Sequence, residues 1–252
     1  MEILSKLNKH RDYFENIGSK YVEKNLPMIY SLKLLQNATK GYVKGDVLVI
    51  GSGGLINFDT KNAKHIVLTD ITLKTMKNPQ IIAENNFRPI SKQLRNKITV
   101  YKANALKLPF SANSFDSVIM FNVAHHLSVV SRIESKRNIA RSISEIYRVL
   151  RKDGNFLLSE DCPTFVPRII QNMVYNYFSP LFLKYGKPIP YFLSFVEICD
   201  LLKKYKFDLV FNKKIPLIGK AYQPVFPQFS PPGWLWELIL PNRLFISSKN
   251  KT

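Results

Sequence analysis

Gly51-Ser52-Gly53-Gly54 follows the apolar run Val47-Leu48-Val49-Ile50. A glycine bend after such a run lets the backbone turn tightly and brings bare N–H groups against a ligand, with a helix N-terminus expected to follow. Asp70 stands nineteen residues past Gly51, closing a second apolar run, His65 to Thr69. A carboxylate there can accept hydrogen bonds from both hydroxyls of a ribose; the plainer reading is a helix cap. Asn104-Ala105 offers a side-chain carbonyl for an adenine amino group and a backbone N–H for a ring nitrogen, or else simply forms a turn. Ile71, beside Asp70, and Asn122, after a later apolar run, complete the candidate cofactor set. His125-His126 supply imidazoles suited to removing a proton near neutral pH, with a structural role as the alternative. Glu160-Asp161 can hold a cationic substrate or act as base, and equally fit as solvated strand-end charges. Tyr13 and Tyr21 are candidates to close over a bound molecule, though helix packing explains them too.

Five short apolar runs must position these groups: Val47–Ile50, His65–Asp70, Ile98–Tyr101, Ser117–Phe121 and Phe156–Leu158. Runs of this length read as strands buried on both faces, and their alternation with helical or loop connections predicts a parallel sheet. Ile139, Ile143, Ile146 and Leu150 mark a helix over 132–150 that stops at Asp153-Gly154. Amphipathic segments over 3–17 and 28–37 form an N-terminal helical part, residues 1–44. The core spans 45–160. Residues 161–193, dense in proline and aromatics, read as a helical cap over the carboxyl edge of the sheet. Residues 194–252 return to the sheet, with a helix at 194–205, strands at 207–212 and 243–248, and a Pro- and aromatic-rich excursion between them. The whole reads as one α/β domain of 252 residues.

Several classes are disfavoured. The dinucleotide fingerprint needs a third glycine where Ile56 stands, and a pyrophosphate could not approach the backbone past that side chain. Cys162 and Cys199 are far apart and in no metal spacing, which argues against a zinc site or a disulfide framework. No apolar run reaches the ~18 residues of a membrane span. The segment Met1–Lys6 lacks a signal-peptide core, so a cytoplasmic location is expected. The net charge is +19, but lysines are spread along the chain and no polybasic arm stands out.

The segment Tyr101–Leu127, YKANALKLPFSANSFDSVIMFNVAHHL, resembles the methyltransferase type 11 family, which includes the ubiquinone/menaquinone and sterol methyltransferases. Asn104-Ala105, Leu108-Pro109-Phe110 and Ser114-Phe115-Asp116 match its motifs in order. Glu145 and Arg148 to Gly154 match the next one. The resemblance covers roughly residues 45–160. It implies a Rossmann-like seven-stranded mixed sheet with helices on both faces and an antiparallel last strand. It also implies S-adenosylmethionine in the crevice at the carboxyl ends of the strands, with His126 beside it. Three positions depart from the pattern: Val49 replaces an acid, Leu55 a glycine, and Asn104 an aspartate. Cofactor binding is expected to survive these changes, with the Gly54 backbone filling in.

The expected activity is methyl transfer to a small-molecule or lipid-like acceptor. Phe165, Tyr175, Tyr177, Phe178, Phe182, Tyr185, Tyr191 and Phe192 suit a greasy pocket or an interfacial surface as well as they suit core packing. With the basic charge, this leaves peripheral contact with an anionic membrane open. RNA methylation is a second reading, disfavoured because the Asn-Pro-Pro-Tyr type motif is absent where Asn122-Val123-Ala124-His125 stands. A non-catalytic binding protein on the same fold is a third.

Overall fold

The computed structural model describes Asp12, Glu15 and residues 28–83, 86–185, 188–217 and 233–250. Helix α1 (Ile29–Ala38) leads into β1 (Gly45–Ile50), whose last four residues are all buried. β1 pairs in parallel with β3 (Ala63–Asp70) on one side, and β3 with β6 (Ile98–Lys102). On its other side β1 pairs in parallel with β7 (Phe115–Phe121), and β7 with β8 (Leu150–Asp161). The last strand, β10 (Asn242–Lys249), runs antiparallel between β8 and β9 (Phe207–Ile215). The sheet order is thus β6-β3-β1-β7-β8-β10-β9, seven strands with one reversed, as expected from sequence.

Order in this sheet reverses at β1, whose neighbours β3 and β7 lead off in opposite directions. Open α/β sheets bind ligands at such a switch point, outside the carboxyl ends of the strands. Gly51, Asp70 and Asn122 directly follow or end β1, β3 and β7, so the topology alone gathers them.

Helices cover both faces. Helix α3 (Arg132–Val149) and α5 (Phe195–Lys204) bury Ile139, Ile143, Ile146, Ile198 and Leu202 against Leu48, Val118, Phe156 and Phe245. Each has a serine N-cap. Ser131 accepts from the Glu134 N–H, and Ser194 with Glu197 forms a reciprocal capping box. The opposite face meets α1 through Leu35. There the expectation of a helix after the glycine turn is overturned. Residues 55–56 form a short strand, β2, in a separate three-stranded sheet with β4 (Gln80–Ala83) and β5 (Asn86–Pro89). This explains Leu55: it is buried against Ile29, Leu32 and Ile82, where glycine would leave a hole. Helix α2 (Lys92–Arg95) is a single turn.

The motif residues shared with the family divide into scaffold and site. Glu145 accepts from the Leu108 N–H at 2.8 Å, while Arg148 donates to the carbonyls of Leu108 and Phe110 at 3.0 and 2.6 Å. Together they clamp the Leu108-Pro109-Phe110 loop to α3. Asp116 accepts from the Asp46 N–H and from Arg151, tying together the starts of β1, β7 and β8, at the end of the sheet away from the switch point. Helix α3 ends at Val149, earlier than expected. Asp153, at φ 59°, lies within the irregular opening of β8, whose pairing with β7 slips there.

The cap proves to be one 20-residue helix, α4 (Phe165–Lys184), with residues 188–193 in neither helix nor strand. Pro167 falls in its first turn, where no N–H is missed, and Pro180 is accommodated inside it. Helix α6 (Gly233–Ile239) precedes β10. Apart from Asp12 and Glu15, the segment 3–17, with Tyr13, lies outside the described residues, as do Tyr21 and most of the Pro-rich excursion.

Candidate functional site

A pocket lies at the switch point, with about 750 Å³ of empty space including the part open to solvent. It is lined by Ile50, Gly51, Gly53, Asp70, Ile71, Thr75, Ala103, Asn104, Ala105, Asn122, Val123, His126 and Leu127. A second cavity of about 440 Å³, lined by Ser52, Asn57, Leu32 and Phe121 among others, shares Ile50, Gly51 and Asn122 with the first. The two meet at the glycine turn.

Gly51 is obligatory there. Its φ is 64°, and a Cβ would stand 2.5 Å from the Val123 side chain. Gly53 takes φ 55° and donates its N–H to Asp70 Oδ2 at 2.9 Å. Asp70 Oδ1 accepts from the Thr72 N–H at 3.3 Å. Burial raises the Asp70 pKa above the ordinary carboxylate value, and these backbone bonds partly offset the rise. Asp70 thus ties the loop after β3 to the glycine bend and lines the cavity; it caps no helix, since the 3₁₀ turn Lys74–Met76 has Leu73 at its N-cap. A carboxylate has about four acceptor sites, so both roles are compatible.

Asn104 forms the turn of its plainer reading. Its Oδ1 accepts from the Leu106 N–H at 2.9 Å, which fixes the turn, and the residue lines the cavity with Ala105. Ser52 and Gly54 do not line the first cavity. Ser52 Oγ lies 3.1 Å from Met76 Sδ and accepts from the Gly54 N–H. The Gly54 carbonyl accepts from Gln80, and a Cβ at Gly54 would meet the Thr75 carbonyl at 2.3 Å. Gly54 therefore joins the glycine turn to the small sheet, and its backbone is committed there.

His125 and His126 sit on the 3₁₀ turn Ala124–Leu127 after β7. His125 is buried, with Nδ1 2.7 Å from Glu160 Oε2 and Nε2 3.0 Å from His126 Nε2. Glu160 Oε1 accepts from the Ala124 N–H at 2.7 Å. Burial by itself would lower the His125 pKa. The charge and hydrogen bond of Glu160, helped by Asp161, outweigh it and leave the pKa raised. Phe192 packs on the His125 ring at 4.8 Å between centroids, and the Tyr191 N–H donates to the His125 carbonyl. The result is a carboxylate–imidazole–imidazole line from the sheet interior to the cavity wall.

Glu160 and Asp161 do not face the mouth as expected. Glu160 is 3% exposed and stands behind His125. Asp161 accepts from Asn242 Nδ2 at 2.9 Å, and the same nitrogen donates to Asn122 Oδ1 at 2.9 Å. Glu160 is buried under the Ala124–Leu127 turn beside Ile139, Ile143 and Ile198, and Asp161 is held by Asn242 of β10; no local pattern foretells either contact. Asn242 itself went unnoticed; it lies 120 residues from Asn122 in sequence and on the reversed strand. Thr75, Ala103, Val123 and Leu127 were also missed, since small and apolar wall residues look like any core position.

Burial pushes the Asp161 pKa up to about 6, with His125 and the Asn242 bond pulling the other way. A carboxyl with a folded pKa above its unfolded value of 3.8 favours the fold below about pH 4. That contribution fades as pH rises through 6, and the ionised group then costs stability. Asp161→Asn is expected to raise unfolding free energy by about 1–2 kcal/mol at pH 7.5, less than the full shift because the residue keeps some solvent contact. Urea titrations at pH 4 and pH 7.5 check this; an equal effect at both would contradict it.

The comparisons bear on this arrangement. Residues 48–158 match the family model described as a methyltransferase domain. Over that segment, somewhat less than half of the chain, the sequence is similar to methyltransferase domains. Ubiquinone/menaquinone biosynthesis C-methyltransferase UbiE of Agrobacterium fabrum is 35% identical over 83 residues, covering 33% of this chain and 29% of that protein. The UbiE of Brucella abortus is 32% identical over 116 residues, covering 44% and 38%. The chain thus spans roughly a third of the length of the curated relatives it matches. Among solved structures, a chain from the complex of the Haloferax volcanii Trm112 methyltransferase activator with a methyltransferase aligns over 96% of this chain and 98% of its own. Its TM-score is 0.63 at 12% identity. A geranyl diphosphate methyltransferase in complex with SAM aligns over 88% and 85%, with TM-score 0.56 at 12% identity. At these identities the structures establish the fold, which is that of the methyltransferases.

Proposed function

We propose that this chain binds S-adenosylmethionine at the switch-point cavity and transfers its methyl group to a small-molecule or lipid-like acceptor. The observation that carries the reading is one cavity wall that joins Asp70, the Gly51–Gly53 bend and Asn104-Ala105 to His126. The residues fit a nucleoside. Asp70 can take the ribose diol, Asn104 Oδ1 has a second lone pair for an amino group, and Ala105 offers its N–H. Ile71, Val123 and Leu127 give apolar walls for a purine, and Gly51, at φ 64°, brings the backbone close without a side chain. Asn122, shared by both cavities and anchored through Asn242 to Asp161, stands where the amino-acid end would pass toward the second cavity. Val49 is buried inside β1 and offers that end no polar group, so backbone near Gly51 must serve instead.

When bound, the cofactor supplies an electrophilic methyl group; the protein supplies orientation and proton control. His126 is the candidate base. If its Nε2–H donates to His125 Nε2, its Nδ1 is the acceptor for an acceptor molecule's proton. The Nε2 proton then passes to His125, whose imidazolium is stabilised by Glu160. His125 and Glu160 are positioning residues in this scheme. A carbon or phenolic acceptor, which must lose a proton, suits it best. The 32% identity to a C-methyltransferase over 116 residues supports that choice.

Isothermal titration with S-adenosylhomocysteine tests the reading at its root. A saturable one-to-one isotherm with Kd in the micromolar range is expected. No heat, with the fold intact by circular dichroism, would remove the enzyme reading altogether.

A further inference from the structure

Helix α4 is built inside out. The side it turns to the body is largely polar. Arg168 donates to the Phe192 carbonyl and the Tyr191 hydroxyl and pairs with Glu197. Gln171 exchanges bonds with the Phe192 backbone, and Asn176 Oδ1 accepts from the Arg132 N–H. Tyr175 and Ser179 donate to the Val129 carbonyl. The side it turns outward is apolar. Phe165 is 79% exposed, Met173 75% and Tyr177 76%, with Ile170, Leu181 and Tyr185 continuing the ridge at helical spacing. The end of α6 extends it: Thr164 bonds to the Leu238 and Ile239 carbonyls, and both of those side chains are exposed. A helix about 30 Å long with this polarity reverses the usual pattern of a soluble protein surface.

We infer that this ridge is a docking surface for an anionic lipid bilayer, lying flat in its interfacial layer. Charge decides the occupant. Residues 165–185 contain no acid, and the chain carries a net +19. Lys184 is exposed at one end of α4, and Arg137 is exposed on the neighbouring α3. The nearby acids Glu197 and Glu237 are ion-paired to Arg168 with Lys136 and to Lys214. Two copies of so basic a chain repel one another, whereas an anionic membrane attracts each. A convex ridge also suits a deformable layer better than a preformed groove, and aromatic side chains are favoured at headgroup depth. α4 itself is not long and apolar enough to cross a membrane. This goes beyond methyl transfer, and holds or fails independently of it.

The test is co-sedimentation of the full chain with vesicles of phosphatidylglycerol and phosphatidylcholine in equal parts, and with phosphatidylcholine alone. Binding to the mixed vesicles, weakened by salt and at least about tenfold weaker to the neutral ones, is expected. The double substitution Met173→Glu and Tyr177→Glu should lower binding to the mixed vesicles about tenfold or more, with the thermal midpoint and S-adenosylhomocysteine affinity unchanged. Single substitutions Met173→Ser and Tyr177→Ser, each with a smaller loss, guard against a double variant that folds poorly. Binding that the substitutions leave intact would overturn the assignment to this ridge. So would a wild-type dimer in ultracentrifugation that the same substitutions dissociate, which would give the face to a second copy.

Discussion

His126→Ala is expected to lower kcat by about 10²–10⁴-fold, the range spanned by loss of a general base, while S-adenosylmethionine affinity changes by less than about threefold. The separation follows from the site. His126 contributes one patch of wall to a cavity otherwise formed by the glycine bend, Asp70 and Asn104, so ground-state binding loses little. Proton transfer loses its first acceptor. The line behind it, 3.0 Å to His125 and 2.7 Å on to Glu160, can no longer be reached. The pH profile carries further information. Because Glu160 and Asp161 raise the His125 pKa, the proton-accepting form of the relay is lost as pH falls through that raised value. Glu160→Gln removes the charge that raises it, so the acidic limb of kcat should move to lower pH while the rate falls. A purely structural glutamate would cost stability and leave the limb in place. Full activity in His126→Ala, or an unmoved limb in Glu160→Gln, would disprove the relay.

The split between legible and illegible parts of this fold has a physical basis. The parallel strands inside the sheet are largely buried, so they show as apolar runs; β6, expected to be buried on both faces, is an edge strand exposed over Thr99–Lys102. Val47–Ile50, His65–Asp70 and Ser117–Phe121 therefore fall within β1, β3 and β7. Residues at the ends of those strands, Gly51, Asp70 and Asn122, inherit their place from the strand order, which is why part of the switch-point cavity's wall is legible in the sequence. The three-stranded sheet escaped notice because its members run only two to four residues, too short for any periodicity. Leu55 looked like a damaged glycine motif, and its reason lies in that same hidden sheet. Glu160 was placed at the mouth because strand ends usually reach solvent. Its burial under the Ala124–Leu127 turn and its pairing with His125 depend on contacts about 35 residues apart in sequence. Helix α4 was recognisable as aromatic and helical, but the direction of its apolar side was not. Tyr175 and Tyr177 are alike in sequence, yet one is buried and bonded to Val129 while the other is exposed.

Asp70→Ala is expected to weaken S-adenosylmethionine binding by about 3 kcal/mol, near 150-fold in Kd, measured by calorimetry. Two losses add. The diol of the ribose loses a charged acceptor, each such bond counting for roughly 1.5–3 kcal/mol before re-solvation. The Gly53 and Thr72 N–H groups also lose the carboxylate that holds them, so the bend at φ 55° is less firmly set. Asp70→Asn separates the two. An amide oxygen can still accept from Gly53 but lacks the charge and one acceptor, so an intermediate loss of about tenfold is expected. The raised pKa of Asp70 gives a further check, because its ionised form is the better partner for two hydroxyl donors. Binding should therefore weaken as pH falls toward that raised value in the wild type, and this pH dependence should vanish in Asp70→Asn. If both variants bind as tightly as the wild type, the carboxylate serves the loop alone and the ribose lies elsewhere. Those measurements need no methyl acceptor, so they can be made before one is known.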